Sequence, residues 1–409
     1  MKGDLPDFLD GGSSHLGPRP PQRGPAAWWW IGGGALIVVA GALVALYLAG
    51  YIPLRRAHGA KGTPSVHRPA PSGPGSTATR TPPPWRGPVP YPVLIADTGH
   101  HRLLEVTPTG KVVWQLSLPA AGGVVVHPND VAFSPHGHSV LVSAETQDLV
   151  ERVDYATRQV RWTFGVPGQA GAGSQHLNYP DDPAMLPNGD IAVADIRNCR
   201  EVILSGTGQM LAAWGKPQLN YCQTNPSQGL FGYPNGSQPQ PDGNILLTFS
   251  SGDRIAMFSP SGKVLWNVSA PDLFGGFASD AVAGTAGTVI VCGYGTPGSV
   301  AAFNPHSGAQ LWHYFVASGP NALSNPTVAL PLPGGNVLVA DSGNNRVVAI
   351  NPSTGRIVWT YATGLSHPGG VALDVYRNWQ VPAPRGARAA HPRVGARGAR
   401  PVSRRKAAA

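Results

Sequence analysis

The chain is poor in charge and in cysteine: 12 % of its 409 residues are Asp, Glu, Lys or Arg, and three are Cys. Three cysteines in such a length exclude a small disulfide scaffold, and the low charge excludes a coiled coil or an acidic disordered protein. Lysine is scarcest in the middle, where residues 91–374 hold only Lys111, Lys216 and Lys263. Acid is missing altogether from residues 375–409, which carry nine basic groups. No nucleophile elbow, HExxH pair, phosphate-binding loop or haem-attachment CxxCH occurs, so the chemistries those motifs announce lack their signature.

What is present is unevenly spread. Residues 1–90 hold nine basic and three acidic groups, whereas residues 91–374 hold twelve and eighteen. The net charge of +9 and pI near 9.7 therefore describe no single region. The only long stretch able to form a core is acidic, which makes nucleic acid an unlikely partner.

Residues 26–52 run without a charge, longer than the roughly 20 apolar residues that cross a bilayer. A transmembrane helix is expected there, bounded by Trp28, Trp29 and Trp30 at one end and Tyr47 and Tyr51 at the other. Residues 1–25 read as a disordered N-terminal segment. Residues 53–90 are a Pro/Gly/Ser-rich linker with little to bury. Arginines flank the span on both sides, and the positive-inside rule would hold the following domain in the cytoplasm. Long domains escape that rule, however, so orientation must come from elsewhere.

Six tryptophans, Trp114, Trp162, Trp214, Trp266, Trp312 and Trp359, recur at spacings of 48, 52, 52, 46 and 47 residues. Settings such as TPTGKVVW, SPSGKVLW and NPSTGRIVW repeat around them, each after a β-rich run such as PVLIAD or GNVLVAD. Each unit contains four short runs separated by turn residues, the content of one propeller blade. The first unit lacks its innermost run, and SHPGGVALD near residue 374 supplies it. The expected fold is all-β: a six-bladed β-propeller over residues 91–374, its first blade closed by Val371–Asp374, followed by a basic disordered tail from 375 to 409. The tryptophans are expected to anchor blade packing.

The patterns in ADTGHHR, ADSGNNRVV, NPHSGAQLW and NPSTGRIVW resemble NHL-repeat and PQQ-like (quinoprotein-type) β-propeller repeats. That resemblance covers about residues 91–374 and implies architecture far more strongly than activity. Cofactor-holding quinoproteins of this type usually have eight blades and a vicinal Cys pair. Six Trp units and no Cys-Cys make bound PQQ an unlikely cofactor.

Chemistry is expected on the face that carries the blade-to-blade connections, two of which, about 165–179 and 215–233, are long for a propeller. The inner runs begin HPNDV, YPDDP, YPNGS, GFASD, SNPTV and HPGGV, which would gather His127, Asn129, Asp130, Asp181, Asp182, Asn235, Asp280 and His367 at the channel mouth. Such oxygens could hold Ca²⁺, with Asp130, Asp181 and Asp182 as metal ligands. The alternative is that they cap strand starts and hydrate the channel. His100 and His101 lie on the same face and could supply a ligand or base. Asp97 with Arg102, Asp195 with Arg200 and Asp341 with Arg346 share one spacing and read as turn-holding salt bridges.

Cys292 sits in an apolar run, whereas Cys199 and Cys222 fall in two loops of one blade and could form a disulfide. Two unrelated free thiols are the alternative. A disulfide would place the domain in an oxidising compartment, making the chain a single-pass membrane protein with an extracytoplasmic propeller. The functional expectation is a binding or assembly module for a protein, peptide or glycan ligand on the long-loop face. The basic tail could add contact with anionic lipid or an envelope polymer. The competing expectation is a metal-assisted hydrolase or lyase at the channel mouth, with His127 or His367 as base.

Overall fold

The computed structural model describes residues 83–218, 221–377 and 379. The expected span at 26–52, residues 1–25, the linker as far as residue 82 and nearly all of the basic tail lie outside the described residues. Among the described residues no helix is long and apolar enough to cross a membrane.

The described chain folds into six four-stranded antiparallel sheets arranged as propeller blades. The innermost strands are Pro368–Leu373, Val131–Phe133, Pro180–Met185, Pro234–Pro239, Phe277–Ala283 and Pro326–Pro331, for blades 1 to 6. Blade 1 is built from both ends of the domain. Val93–Asp97 pairs with Pro368–Leu373, placing Val93 opposite Leu373 and Ile95 opposite Val371. The closing strand thus starts three residues earlier than the sequence suggests, because its two glycines, Gly369 and Gly370, pack against Asn129 and Asp130 of blade 2.

Alternating apolar residues bury the sheets against each other, so the core is divided among the interfaces between blades. Leu338, Ala340 and Val347 of blade 6 pack against Val93, Ile95 and Leu104 of blade 1, all essentially inaccessible. Each such Val, Leu or Ile side chain contributes about 1.5–3 kcal/mol by leaving water. Trp114, Trp162 and Trp359, on outermost strands, each donate their indole N–H to a carbonyl of the next blade, those of Tyr155, Gly206 and Pro108, at 2.8–3.1 Å. Trp214 lies under Gly262 of the following blade, and Trp266 and Trp312 pack on the clusters ahead of them. Gly208 shows why the repeat needs glycine here: its φ is +81° and a Cβ would sit 2.8 Å from the Trp162 ring.

The domain's contacts reach beyond 91–374. Val89 is buried in the cluster joining blades 6 and 1, and the Pro88 carbonyl accepts the Asn336 amide at 3.0 Å. At the other end Arg377 lies 3.3 Å over the Tyr155 ring, and its Nη1 is 2.8 Å from Asp374 Oδ2. Trp379 donates to the same carboxylate at 2.9 Å and its ring is 6.3 Å from that of Trp85. The tail expected from 375 therefore begins as part of the propeller, since a tyrosine, an arginine and a tryptophan give those residues something to bury.

Candidate site at the channel mouth

The inner strands start beside the turns that link second to third strands. Asp97 pairs across with Arg102 and Pro368, Asp195 with Arg200 and Pro180, Asp341 with Arg346 and Pro326. In each of these three blades the buried carboxylate meets its arginine Nε at 2.6–2.7 Å. The other oxygen accepts a backbone N–H of the incoming connection, from Ser366, Asn178 or Ser324, each at 2.7 Å. The Asp–Arg pairs are thus clamps that fix the approach to the inner strand. A second tie spans blades: Asp148 and Asp253, both at positive φ, accept the N–H groups of Tyr179 and Ala278 in the next blade.

These ties hold a group of polar side chains at the mouth. Asp181 is its hub: Oδ1 accepts Asn129 Nδ2 at 2.9 Å and the Asp182 N–H at 2.9 Å, and Oδ2 accepts Asn235 Nδ2 at 3.1 Å. Asp182, at φ +45° within a bulge, turns to blade 4, where the Ser237 N–H and Gln238 Nε2 donate to it. Asp130 Oδ1 accepts the Val131 N–H and sits against Gly370 of blade 1. Asp280 lies over Gly236 of blade 4, and the neighbouring Ser279 donates to Asn235 Oδ1 at 2.9 Å.

Burial dominates the electrostatics. Asp181, Asp182 and Asp280 are 9, 4 and 5 % exposed. Burial pushes Asp181 up to about 6 and Asp280 to about 7. Asp130 and Asp182 rise well above the usual carboxylate range, by burial first and then by the neighbouring carboxylates. Glu145 follows them, opposed by Arg197.

The histidines stand apart as a rim. His101 and His127 meet edge to face with ring centroids 4.0 Å apart, and burial, then His101, lowers the pKa of His127. His100 Nδ1 is 3.0 Å from Asp97 Oδ2, and His367 is exposed with Nδ1 3.2 Å from Ser366 Oγ. Among the described residues no hydrogen bond joins these imidazoles to the channel carboxylates, and no group of three or more His, Cys, Asp or Glu is arranged to hold a metal ion. The geometry lends the calcium expectation no support.

Glu145, Arg197, Tyr294, Ser237, Gln238 and Thr248 join the site without having been foreseen. Glu145 had a signal: it follows SVLVSA directly, one place beyond the position that Asp97, Asp195 and Asp341 occupy in their repeats.

Cys199 and Cys222 are joined in a disulfide with Cα atoms 5.5 Å apart, both buried against Ile196 and Tyr233. It ties the connection 215–233 to the turn of blade 3. Crossing 23 residues, it contributes about 3 kcal/mol by restricting the unfolded chain. A Cys222→Ser chain is expected to melt roughly 5–10 °C lower in differential scanning calorimetry; an unchanged midpoint would show that the bond carries no stability. Next to this connection, on the flank between the outer strands of blades 3 and 4, lies a cleft of about 780 Å³ lined by Trp214, Phe231, Phe258, Lys263 and Trp266. Leu265 in its lining is 48 % exposed, and Tyr221, on the same connection, packs edge to face on Tyr233 and is 46 % exposed.

The fold and repeat define a PQQ-like β-propeller. More particularly, the family model PQQ_2, described as outer membrane protein assembly factor BamB, matches residues 150–406, and the chain belongs to that family. No curated protein matches it in sequence. Among solved structures it is similar to a protein of unknown function from Bacteroides caccae, at 16 % identity over 69 % of this chain and 97 % of that one, TM-score 0.51. It is likewise similar to a chain of the nidogen/laminin complex, at 16 % identity over 70 % and 99 %, TM-score 0.52. Virginiamycin B lyase from Staphylococcus aureus scores 0.45 at 14 % identity over 61 % and 73 %. These identities show the fold alone, and the last score carries no argument for lyase chemistry.

Proposed function

We propose that the chain is a membrane-anchored, extracytoplasmic binding or assembly module that takes a protein, peptide or glycan partner on its long-loop side. The aromatic cleft beside the stapled 215–233 connection carries this reading. It offers the part-exposed Trp214 and Trp266 rings over a floor of buried Phe231 and Phe258, together with an exposed Leu265 and a lysine, and Tyr221 stands exposed on the same connection, a composition suited to interface anchors. Membership of a family described by an outer membrane assembly factor supports an assembly role. The buried disulfide supports an oxidising compartment. Residues 26–52 supply the anchor by composition, and the basic tail is read as an accessory arm for anionic lipid or envelope polymer.

The test is site-specific photo-crosslinking in cells, with the photoreactive residue at Tyr221 or Leu265 and, on the opposite face, at Asn188. Discrete adducts from the first two and none from Asn188 are expected. Equal patterns at all three positions would sink the reading. Fractionation of the same cells should find the chain in the membrane pellet, and a variant lacking residues 26–52 in the supernatant; a full-length chain in the supernatant removes the anchor.

A further inference from the structure

We propose that the channel mouth is a receptor for the guanidinium or ammonium group of an arginine or lysine side chain on a basic peptide segment, an inference that rests on the binding-module reading above and names its partner's chemistry.

Four carboxylates, Asp130, Asp181, Asp182 and Asp280, come together from three blades, and every hydrogen-bond donor to them is neutral: an amide, a hydroxyl or a backbone N–H. Among the described residues none of the four forms an ion pair. Arg197 is the cation of this rim, but it lies 3.5 Å over the Tyr179 ring and acts on Glu145 and Asp148. It displays, beside the mouth, a guanidinium seated on an aromatic face within the field of carboxylates, its Nε without a hydrogen-bond partner.

A second observation is independent of the acid count. Asp280 is 5 % exposed and no side chain donates to either of its oxygens, and Thr248 is fully buried with its hydroxyl unpartnered. Both pack on Gly236, whose missing side chain makes room for them: a Cβ there would lie 2.2 Å from Asp280 Oδ1 and 2.9 Å from Thr248 Oγ1. Buried groups left unpaired are costly, and a donor with a positive charge would satisfy them. The Asn129 and Asn235 amides are interleaved with the carboxylates, so the acceptors are spread out rather than focused on a point. That spread fits a forked, multi-donor organic cation better than a compact metal ion. Phe277 and Tyr294, with ring centroids 5.1 Å apart at the start of blade 5, add aromatic surface at the same rim.

The probe is a fluorescent hexapeptide with two arginines, titrated by anisotropy against the detergent-solubilised full chain, alongside the same peptide with citrulline in place of arginine. Citrulline keeps the shape and removes the charge. The arginine peptide is expected to bind at least 10-fold more tightly than its citrulline twin. Asp280→Asn and Asp182→Asn are each expected to weaken it about 10-fold, Thr248→Val about 3-fold, and Asp242→Asn, on an exposed turn, not at all. Thermal melts of each variant identify any that fail to fold, and Thr248→Val keeps the test valid should a carboxylate variant do so. Equal binding of the two peptides, or equal loss on Asp242→Asn, overturns the proposal. If the peptides do not bind while crosslinks from Tyr221 persist, this inference fails and the module reading stands; arginine-specific binding without those crosslinks gives the reverse.

Discussion

A chain ending at Gly364 is expected to lose the cooperative unfolding transition of the whole domain, whereas a chain ending at Trp379 keeps it. The first truncation removes the inner strand of blade 1 and leaves Val93–Asp97 an open edge. Val371, 3 % exposed between blades, goes with it, at a cost of about 1.5–3 kcal/mol. Lost as well are the Ser366 N–H bond to Asp97, the His367 N–H bond to Asn345 and the ladder from Val93↔Leu373 to Asp97↔Pro368. At about 0.5–1.5 kcal/mol for each bond, the total approaches the 5–15 kcal/mol by which a domain is stable. Calorimetry or urea titration followed by tryptophan fluorescence reads the outcome. A sharp transition at the full-length midpoint in the shorter chain would refute ring closure by this strand.

The propeller should also melt at a lower temperature at pH 8.5 than at pH 5.5, the reverse of ordinary acid denaturation. Glu105 and Glu201 are pushed up to about 8, and Glu151 to about 7, in each case by burial. One oxygen of each lacks a partner, while the other accepts from Tyr155, Ser237 or Thr163. With Asp280 near 7 and Asp181 near 6, these groups hold protons in the folded chain that the unfolded chain has already released above about pH 4.5. Stability is therefore full below the unfolded values and falls as pH rises through the folded ones. His127, lowered by burial, acts in the opposite sense but is a single half-buried group. A drop of roughly 5–10 °C between the two pH values is expected, with a shallower slope in Glu201→Gln. A midpoint that climbs with pH would show that these carboxylates are charged inside.

The architecture was legible because each blade solves the same packing problem with the same residues. Six tryptophans at near-constant spacing, the Asp–Arg clamps and the stray copy of an inner strand all follow from that repetition. The mouth was legible only in outline. It is made where the residues of the blades differ, and the inner-strand pairings of blades 1, 3, 4, 5 and 6 each shift register through an irregularity, as between Asp181 and Ala184 or Ala278 and Ala281. Such a bulge resets which side chains face the channel, so alternation read from the sequence cannot say that Asp182 turns to blade 4 or that Asp280 is left without a side-chain donor. Glu145 and Arg197 arrive from the repeated turns, but at positions where the repeat changes its residue from blade to blade. The outer boundary at residue 374 was missed for a simpler reason: Tyr376, Arg377 and Trp379 bury themselves against blade 2 and Trp85, contacts between segments more than 200 residues apart.

That last contact has a mechanical meaning. The chain enters the domain near Trp85 and leaves near Trp379, and these rings meet at one end of the closing pair, where Val93 faces Leu373. A pull applied between the two ends would load that pair as a zipper, breaking its bonds one after another instead of shearing them together. The Asp374, Arg377 and Trp379 contacts stand at the first tooth, so a few side chains set the force at which the ring opens.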